Sequence, residues 1–304
     1  MATAIKPDTD DKRPIRRTWP RYIPMVVLAL FFLFPIVFMF VSAFKTDSAI
    51  FADLRSPRAF LPIGELSFAN FVGVFDRVPV LRFLFNSVFI TTAIVGLGLI
   101  VNSMCGFALS RMKWRGQKII FAIIIATLIV PFETVAIPLV YWVAQLPSVE
   151  FNGLMPTYSQ GWLNTYHVQI LPFVANAFFI FLFAQYFKSI PRELDEAARV
   201  DGASWFQIYW KLIVPLSGPV FATAAILTFV SSPGAWNAYL WPLMVAQQEE
   251  LRPVMVGMQY FFQLDTAWGE IMAYTSIITL PVLLLFLCFQ RAFVNSIAST
   301  GMKG

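Results

Sequence analysis

Six apolar runs, each close to the ~20 residues that a helix needs to cross a bilayer, alternate with polar segments along this chain. They fall at about 23–44, 83–109, 119–144, 170–187, 220–245 and 272–294. The pattern predicts an all-α, polytopic membrane protein with six transmembrane helices. Residues 1–22 read as an N-terminal tail, 23–294 as the six-span domain and 295–304 as a C-terminal tail.

The runs are not uniformly apolar. The second carries Asn86, Thr91, Thr92, Asn102 and Ser103 among Gly96, Gly98 and Gly106, polar and small side chains suited to close helix packing. The fifth is interrupted by Ser231-Ser232-Pro233-Gly234 and followed by Trp236-Asn237-Ala238-Tyr239. Pro233 lacks a backbone donor and Gly234 loosens the chain, so a kink or an unwound stretch is expected there. Trp236 and Tyr239, three apart, are expected to share a helix face just beyond it. Unwound backbone in hydrocarbon is tolerated only where it packs on protein or lines a wet cavity. Glu133, between Pro131 and Pro138, is the one acidic residue inside a predicted span. It must face the bundle interior, a water path or a partner, and a rise of ~1.5 Å per residue along a straight helix puts it past the midplane, toward the outer side.

Between the fourth and fifth runs lies a charged island, 190–219. A polar helix there belongs in water against the membrane. Pro191 can open a first helix, and Gly202 can take the positive φ at which that helix ends. Ser204 can cap a second helix over 205–213, with Pro215 and Pro219 marking the return to the apolar phase. Ala197 and Ala198 lack bulk, so another surface can approach the backbone closely. On these grounds alone an ordinary solvated loop is the alternative.

Composition narrows the classes. The chain is 58% apolar and 13% charged, against about 25% charged in soluble domains. The net charge of +5 comes from basic residues spread over span flanks, not gathered on a groove for nucleic acid. Lys12, Arg13, Arg16, Arg17 and Arg21 precede the first run; Arg111, Lys113, Arg115 and Lys118 crowd the second loop; Lys188, Arg192, Arg199 and Lys211 occupy the fourth. The third loop has no Lys or Arg and the fifth only Arg252, so both termini and the loops at 110–118 and 188–218 are expected to be cytoplasmic. Cys105 and Cys288 lie inside apolar runs and read as packing residues. There is no GxxxxGK[ST] phosphate loop, no HExxH, CxxC or GxSxG, and His167 is the only histidine. No catalytic residue, metal ligand or nucleotide of its own is expected for the chain.

Glu196-Ala197-Ala198, Asp201-Gly202-Ala203, Ile213-Val214-Pro215 and Pro219 stand in order at fixed spacing. The string resembles the EAA loop of ABC importer permeases of the type I architecture. The wider chain, from Pro35-Ile36 to the closing Gly301-Met302-Lys303-Gly304, is most similar to the carbohydrate-uptake branch, on the side of the maltose-permease-like second subunit. The resemblance implies the permease subunit of an ATP-driven, binding-protein-dependent importer in a prokaryotic cytoplasmic membrane. It implies a second, different permease chain, an ABC ATPase dimer that holds ATP and Mg, and an extracytoplasmic solute-binding protein. By the same resemblance Glu196, Ala197, Ala198, Asp201, Gly202, Ala203 and Pro215 would couple to the ATPase.

Candidates for the substrate path are Glu133, Asn102, Asn176, Ser232, Trp236, Asn237 and Tyr239, which supply hydrogen-bonding groups and stacking faces for a sugar. Packing is the competing role for each, and the sugar class rests on the resemblance. A permease for another small polar solute in the same superfamily is an alternative. An ion-gradient-driven secondary transporter is another, but it would be expected to show duplicated spans and several buried ionisable groups. One departure from the family is a third loop lengthened over 145–163, either a contact for the binding protein or a tolerated surface insertion.

Overall fold

The computed structural model describes residues 19–152, 155–262 and 266–301. Residues 1–18 of the expected tail, 1–22, and the last residues, 302–304, lie outside the described residues, while Trp19–Tyr22 already belong to the first helix. α1 (Trp19–Ser42) contains Pro24 and Pro35, and its large apolar side chains from Tyr22 to Phe34 are exposed. α2 (Asp47–Asp53) and α3 (Ala69–Arg77) shape the first loop, and α4 (Val80–Ser110) follows as an unbroken helix. α5 (Gln117–Thr127) and α6 (Phe132–Val143) meet at 103°. β1 (Pro147–Asn152) and β2 (Met155–Gln160) form an antiparallel hairpin, with Pro147 opposite Gln160 and Asn152 opposite Met155. α7 (Tyr166–Ile170) leads through a 3-10 turn into α8 (Ala177–Ser189), the two bent by 42°. α9 (Glu193–Val200), α10 (Trp205–Ile208), a π turn and α11 (Val214–Leu216) come next, and α12 (Gly218–Ser231) leaves them at 81°. α13 (Leu240–Val245), α14 (Val254–Gly257) and α15 (Trp268–Gly301) complete the chain.

Among the described residues three helices are long and apolar enough to cross a membrane, and the three bent pairs raise the number to six if each pair is one span. Three expectations need correction. The third run is not one straight helix: α5 and α6 have 11 and 12 residues, ~18 Å or less each. Val130 precedes Pro131 and is pushed out of the helical region. The count along a straight helix that placed Glu133 therefore does not apply. The fifth run is helical over α12 and again over α13, but residues 232–239 between them are not helical, so Trp236 and Tyr239 share no helix face. The last helix continues to Gly301 where a tail from 295 was expected. The all-α, multi-span reading of the chain holds, with one local addition, the hairpin that occupies the lengthened third loop. Its base is tied to α6 by Gly161 N–H to Leu146 O at 2.8 Å and Trp162 N–H to Val143 O at 2.9 Å.

The first loop is anchored. Buried Lys45 donates to the Asp53 carboxylate at 2.9 Å and to Arg58 O at 2.7 Å. Asp47 accepts from the N–H groups of Trp268 and Gly269 at 3.0 and 2.7 Å, capping α15 from a distance.

α4 runs through the whole interior. It supplies Val80 and Phe83 to a cluster with Val254, Phe261 and Tyr274, and Ile90 and Ile94 to one with Val168, Phe173 and Trp241. Phe107 joins Phe183, Phe187, Tyr209 and Ile213 in a third. At Gly106 the helix lies so close to α8 that an added Cβ would stand 2.7 Å from Phe183 Cβ and 3.0 Å from Ala184 N. At Gly96 an added Cβ meets nothing within 4 Å.

Gly106→Val should therefore force α4 off α8 and cost about 1–3 kcal/mol of stability, read as a lower melting temperature of the detergent-solubilised protein. Gly96→Ala should leave the melting temperature unchanged. Equal effects of the two changes would refute the close-packing account.

Candidate functional site

The segment from α9 to α11 is an elbow with both limbs fixed by local hydrogen bonds. Gly202 has φ +84°. Its N–H reaches Arg199 O at 3.0 Å, and Ala203 N–H reaches Ala198 O at 2.9 Å, the paired bonds that close a helix in a Schellman motif. Ser204 then opens α10 with a reciprocal capping box: Gln207 N–H donates to Ser204 Oγ and Ser204 N–H to Gln207 Oε1. The Arg199 guanidinium lies 5.0 Å above the Trp205 ring and links the limbs. The π turn at Tyr209–Ile213 carries Tyr209, whose hydroxyl bonds Ser103 of α4 at 2.6 Å.

Glu196, Ala197, Asp201, Gly202 and Pro215 are exposed on this elbow, while Ala198 and Ala203 are half-buried against the cluster around Phe183. Small size at Ala198 therefore serves packing onto the bundle rather than approach of a partner from outside. A Cβ on Gly202 would enter open space, so a substitution there strains the backbone without filling the gap between the helices. Beside these residues stand outward apolar side chains, Val200 at 88% and Phe206 at 63% exposure.

The inward face of α9 holds what the sequence pattern missed. Asp195 and Arg111, at the end of α4, form an ion pair at 3.3 Å with side chains 8% and 1% exposed. Burial pushes the Asp195 carboxyl above its ordinary value, with Arg111 pulling it back down. Burial also pushes Arg111 below its own, against the pull of Asp195. Desolvation thus outweighs attraction at both ends, as is usual for a buried pair. One signal was available: Asp195 lies three residues before Ala198, on the same helix face.

The other candidates gather where helices break. Phe132 beside the α5–α6 bend, Phe173 beside the α7–α8 bend and Trp241 of α13 form a triad with ring centroids 5.4, 5.6 and 6.0 Å apart. Gly234, in the turns after α12, lies against Phe173, where a Cβ would stand 2.2 Å from the ring. Four of the candidates are bonded or buried within the protein, Asn102 and Asn176 at this junction. Asn102 is buried; its Nδ2 donates to Val174 O at 3.0 Å and its Oδ1 accepts from Asn176 N–H at 2.8 Å. Asn176 caps α8, accepting from Phe178 N–H at 2.9 Å. Trp236 is 2% exposed and stacks on Phe229 at 5.5 Å, and Ser232 is buried. Three remain exposed: Glu133 in the first turn of α6, Asn237, which donates to Val230 O at 3.1 Å, and Tyr239, which bonds Gln259. An acidic side chain in a first turn also suits the helix dipole. A separate groove of about 290 Å³, lined by Thr91, Thr92, Gly96, Ala222, Ala225 and Phe229, opens on the side of α4 and α12.

Residues 94–299 match the family described as binding-protein-dependent transport system inner membrane component. The chain belongs to that family, and it is a permease subunit of a binding-protein-dependent ABC importer. It is 30% identical over 292 residues to the arabinooligosaccharides transport system permease protein AraQ of Halalkalibacterium halodurans, covering 94% of this chain and 97% of that one. It is 32% identical over 285 residues to the lactose transport system permease protein LacG of Rhizobium radiobacter, covering 92% and 96%. Its fold is similar to that in the crystal structure of a bacterial ABC transporter involved in import of the acidic polysaccharide alginate. The TM-score is 0.73 at 23% identity, over 90% of this chain and 95% of that one.

Asn102→Leu should strand Val174 O and Asn176 N–H, lowering stability by about 2 kcal/mol or more. Thermal unfolding and uptake per folded molecule, measured together, check the assignment. Normal stability with lost uptake would instead return Asn102 to the substrate path.

Proposed function

We propose that this subunit carries a carbohydrate or sugar derivative inward across a prokaryotic cytoplasmic membrane, driven by a separate ABC ATPase dimer that docks on the α9–α10 elbow. The single observation that carries the docking is the elbow itself. It is rigid by virtue of its caps, exposes Glu196, Val200 and Phe206, and is tied on its other side to α4. The solute class is supported by the arabinooligosaccharide and lactose systems of the two relatives. In this reading the ATPase holds ATP and Mg, and this chain holds neither. An extracytoplasmic solute-binding protein delivers the solute. A second, different permease chain packs against this one, the groove beside Gly96 offering the small residues that let helices approach. Both termini and the loops at 110–118 and 188–218 face the cytoplasm.

The mechanism follows from the ties. Closure of the ATPase dimer on nucleotide displaces α9 as a rigid body. Arg111–Asp195 and Ser103–Tyr209 pass that displacement to α4. Asn102 on α4 holds the backbone at Val174–Asn176, so the junction of broken helices moves with it. Glu133, Asn237 and Tyr239, exposed around that junction, are the groups available to a passing hydroxylated solute. Glu196 pairs with a basic group of the ATPase.

Glu196→Lys and Gly202→Val should each weaken assembly with the ATPase while leaving membrane insertion intact. Positive φ at a β-branched residue costs on the order of 1–2 kcal/mol, roughly tenfold in affinity. Normal ATPase content and transport after both changes would refute docking at the elbow.

Single cysteines in a background lacking Cys105 and Cys288 test the topology and the path together. A membrane-impermeant thiol reagent should reach Ser204→Cys only from the cytoplasmic side. Glu133→Cys and Asn237→Cys should react in at least one nucleotide state, and solute should protect them. Labelling of Ser204→Cys from outside intact cells would overturn the orientation. Silence of both path positions in every state would remove them from the path.

A further inference from the structure

Next to the ion pair of Arg111 and Asp195 the protein has an open cavity of about 290 Å³. Its walls carry four cationic side chains, Arg111, Lys113, Arg192 and Arg199, against two carboxylates, Asp195 and Glu196. The positive excess has a buried centre. Arg111 has a side chain only 1% exposed and 3.3 Å from Asp195, yet among the described residues its Nε, Nη1 and Nη2 find no hydrogen-bond partner, and neither does Asp195 Oδ1. A guanidinium carries five N–H donors in a planar fork, and burying them without acceptors is costly. The group that fits such a fork best is a second carboxylate, held by two parallel hydrogen bonds.

We propose that this cavity is a socket for a carboxylate side chain of the ATPase subunit, which completes the hydrogen bonding of Arg111 when the two proteins dock. The inference rests on the docking reading above and adds a contact of opposite polarity to it. Glu196 and Arg199 line the cavity from α9, so whatever seats on the exposed face of α9 closes over the opening. The elbow would then be gripped in both senses: Glu196 offers an anion outward, and Arg111 receives one inward. Because Arg111 ends α4, the second contact acts directly on the helix that runs through the bundle.

The test uses two residues outside the buried pair. Lys113 and Arg192 are exposed, and a carboxylate at position 192 stands at the N-cap of α9, where negative charge is tolerated, so Lys113→Glu with Arg192→Glu should fold. Arg115→Glu with Lys118→Glu makes the same charge change on exposed residues outside the cavity. Full-length permease, paired with its partner permease in nanodiscs of phosphatidylcholine, is titrated with the ATPase at low and high salt. The socket variant should bind roughly tenfold more weakly with a flattened salt dependence, the control within about twofold of the unaltered protein. An Asp or Glu to Lys change on the docking face of the ATPase should restore the socket variant. Binding of the socket variant equal to that of the control would overturn the proposal. A loss seen only after anionic lipid is added would overturn it too, assigning the cavity to a lipid headgroup. If the socket variant binds normally while Glu196→Lys and Gly202→Val do not, the elbow still docks and the socket alone is wrong. If none of them changes binding, docking at the elbow is wrong as well.

Discussion

Backbone that leaves a helix inside an apolar bundle exposes N–H and C=O groups, each costing several kcal/mol if left unpaired. This chain leaves helical geometry within or beside four of its apolar runs, and α4 supplies much of what makes that tolerable. Asn86 donates to Glu250 O and Arg252 O at 2.8 and 2.9 Å and accepts from the Tyr166 hydroxyl at 2.7 Å. Ser87 accepts from Val254 N–H at 2.9 Å. Asn102 serves the break before α8, Ser103 the π turn through Tyr209, and Arg111 the elbow through Asp195. Five polar side chains along one helix thus hold four segments, Asn86 and Ser87 sharing the stretch at 250–254. An unbroken helix is what makes such a series possible, because its residues keep fixed spacing while the segments around them bend.

The same series explains what could and could not be read from the amino-acid order. Apolar length is demanded by hydrocarbon, so the runs announced themselves. The unwinding after Ser231 was legible because Pro233 and Gly234 act locally. The elbow was legible for the same reason: Gly202 and Ser204 need only their near neighbours to close one helix and open the next. The bend at Pro131 is not legible in the same way, because the apolar run continues through it and continuity of hydropathy does not imply continuity of helix. Asn102 was recognisable as a polar residue in a span, but its partners lie 72 and 74 positions away. No local pattern shows whether an asparagine faces a solute or a carbonyl on another helix. Arg111 shows the same ambiguity, since as one of four basic residues in a short loop it had a sufficient explanation in membrane orientation.

Coupling in this architecture depends on rigidity on one side and tolerance on the other. The limbs of the elbow cannot fold against each other freely, because the Schellman bonds close the turn at Gly202, the Arg199–Trp205 contact spans it, and the capping box fixes the start of the second limb. Displacement of α9 is then passed on rather than absorbed. The pair Arg111–Asp195 is a poor contributor to stability, since burial disfavours the charge of both partners. It is better suited to registry: a directional contact that holds two helices in one relation and loses its value when they slip.

That division also separates the scaffold from the chemistry of the path. Replacing Asn102 disturbs the junction itself, and replacing Trp236 the packing against Phe229, because each is buried and bonded or stacked in place. Glu133 is different: among the described residues it makes no hydrogen bond or ion pair, and its structural duty is limited to a favourable place in the first turn of α6, on the order of 0.3–1 kcal/mol. Asn237 is bonded to a carbonyl only seven positions back along its own chain, not to another helix. Exposed groups with such small obligations can change identity at little cost to the fold. A scaffold held by a buried polar helix can therefore present different exposed polar groups without being rebuilt. On this physical ground the arrangement of helices can stay fixed across a family while the few polar side chains that it leaves uncovered vary, and in the proposed function it is among those that the solute is recognised.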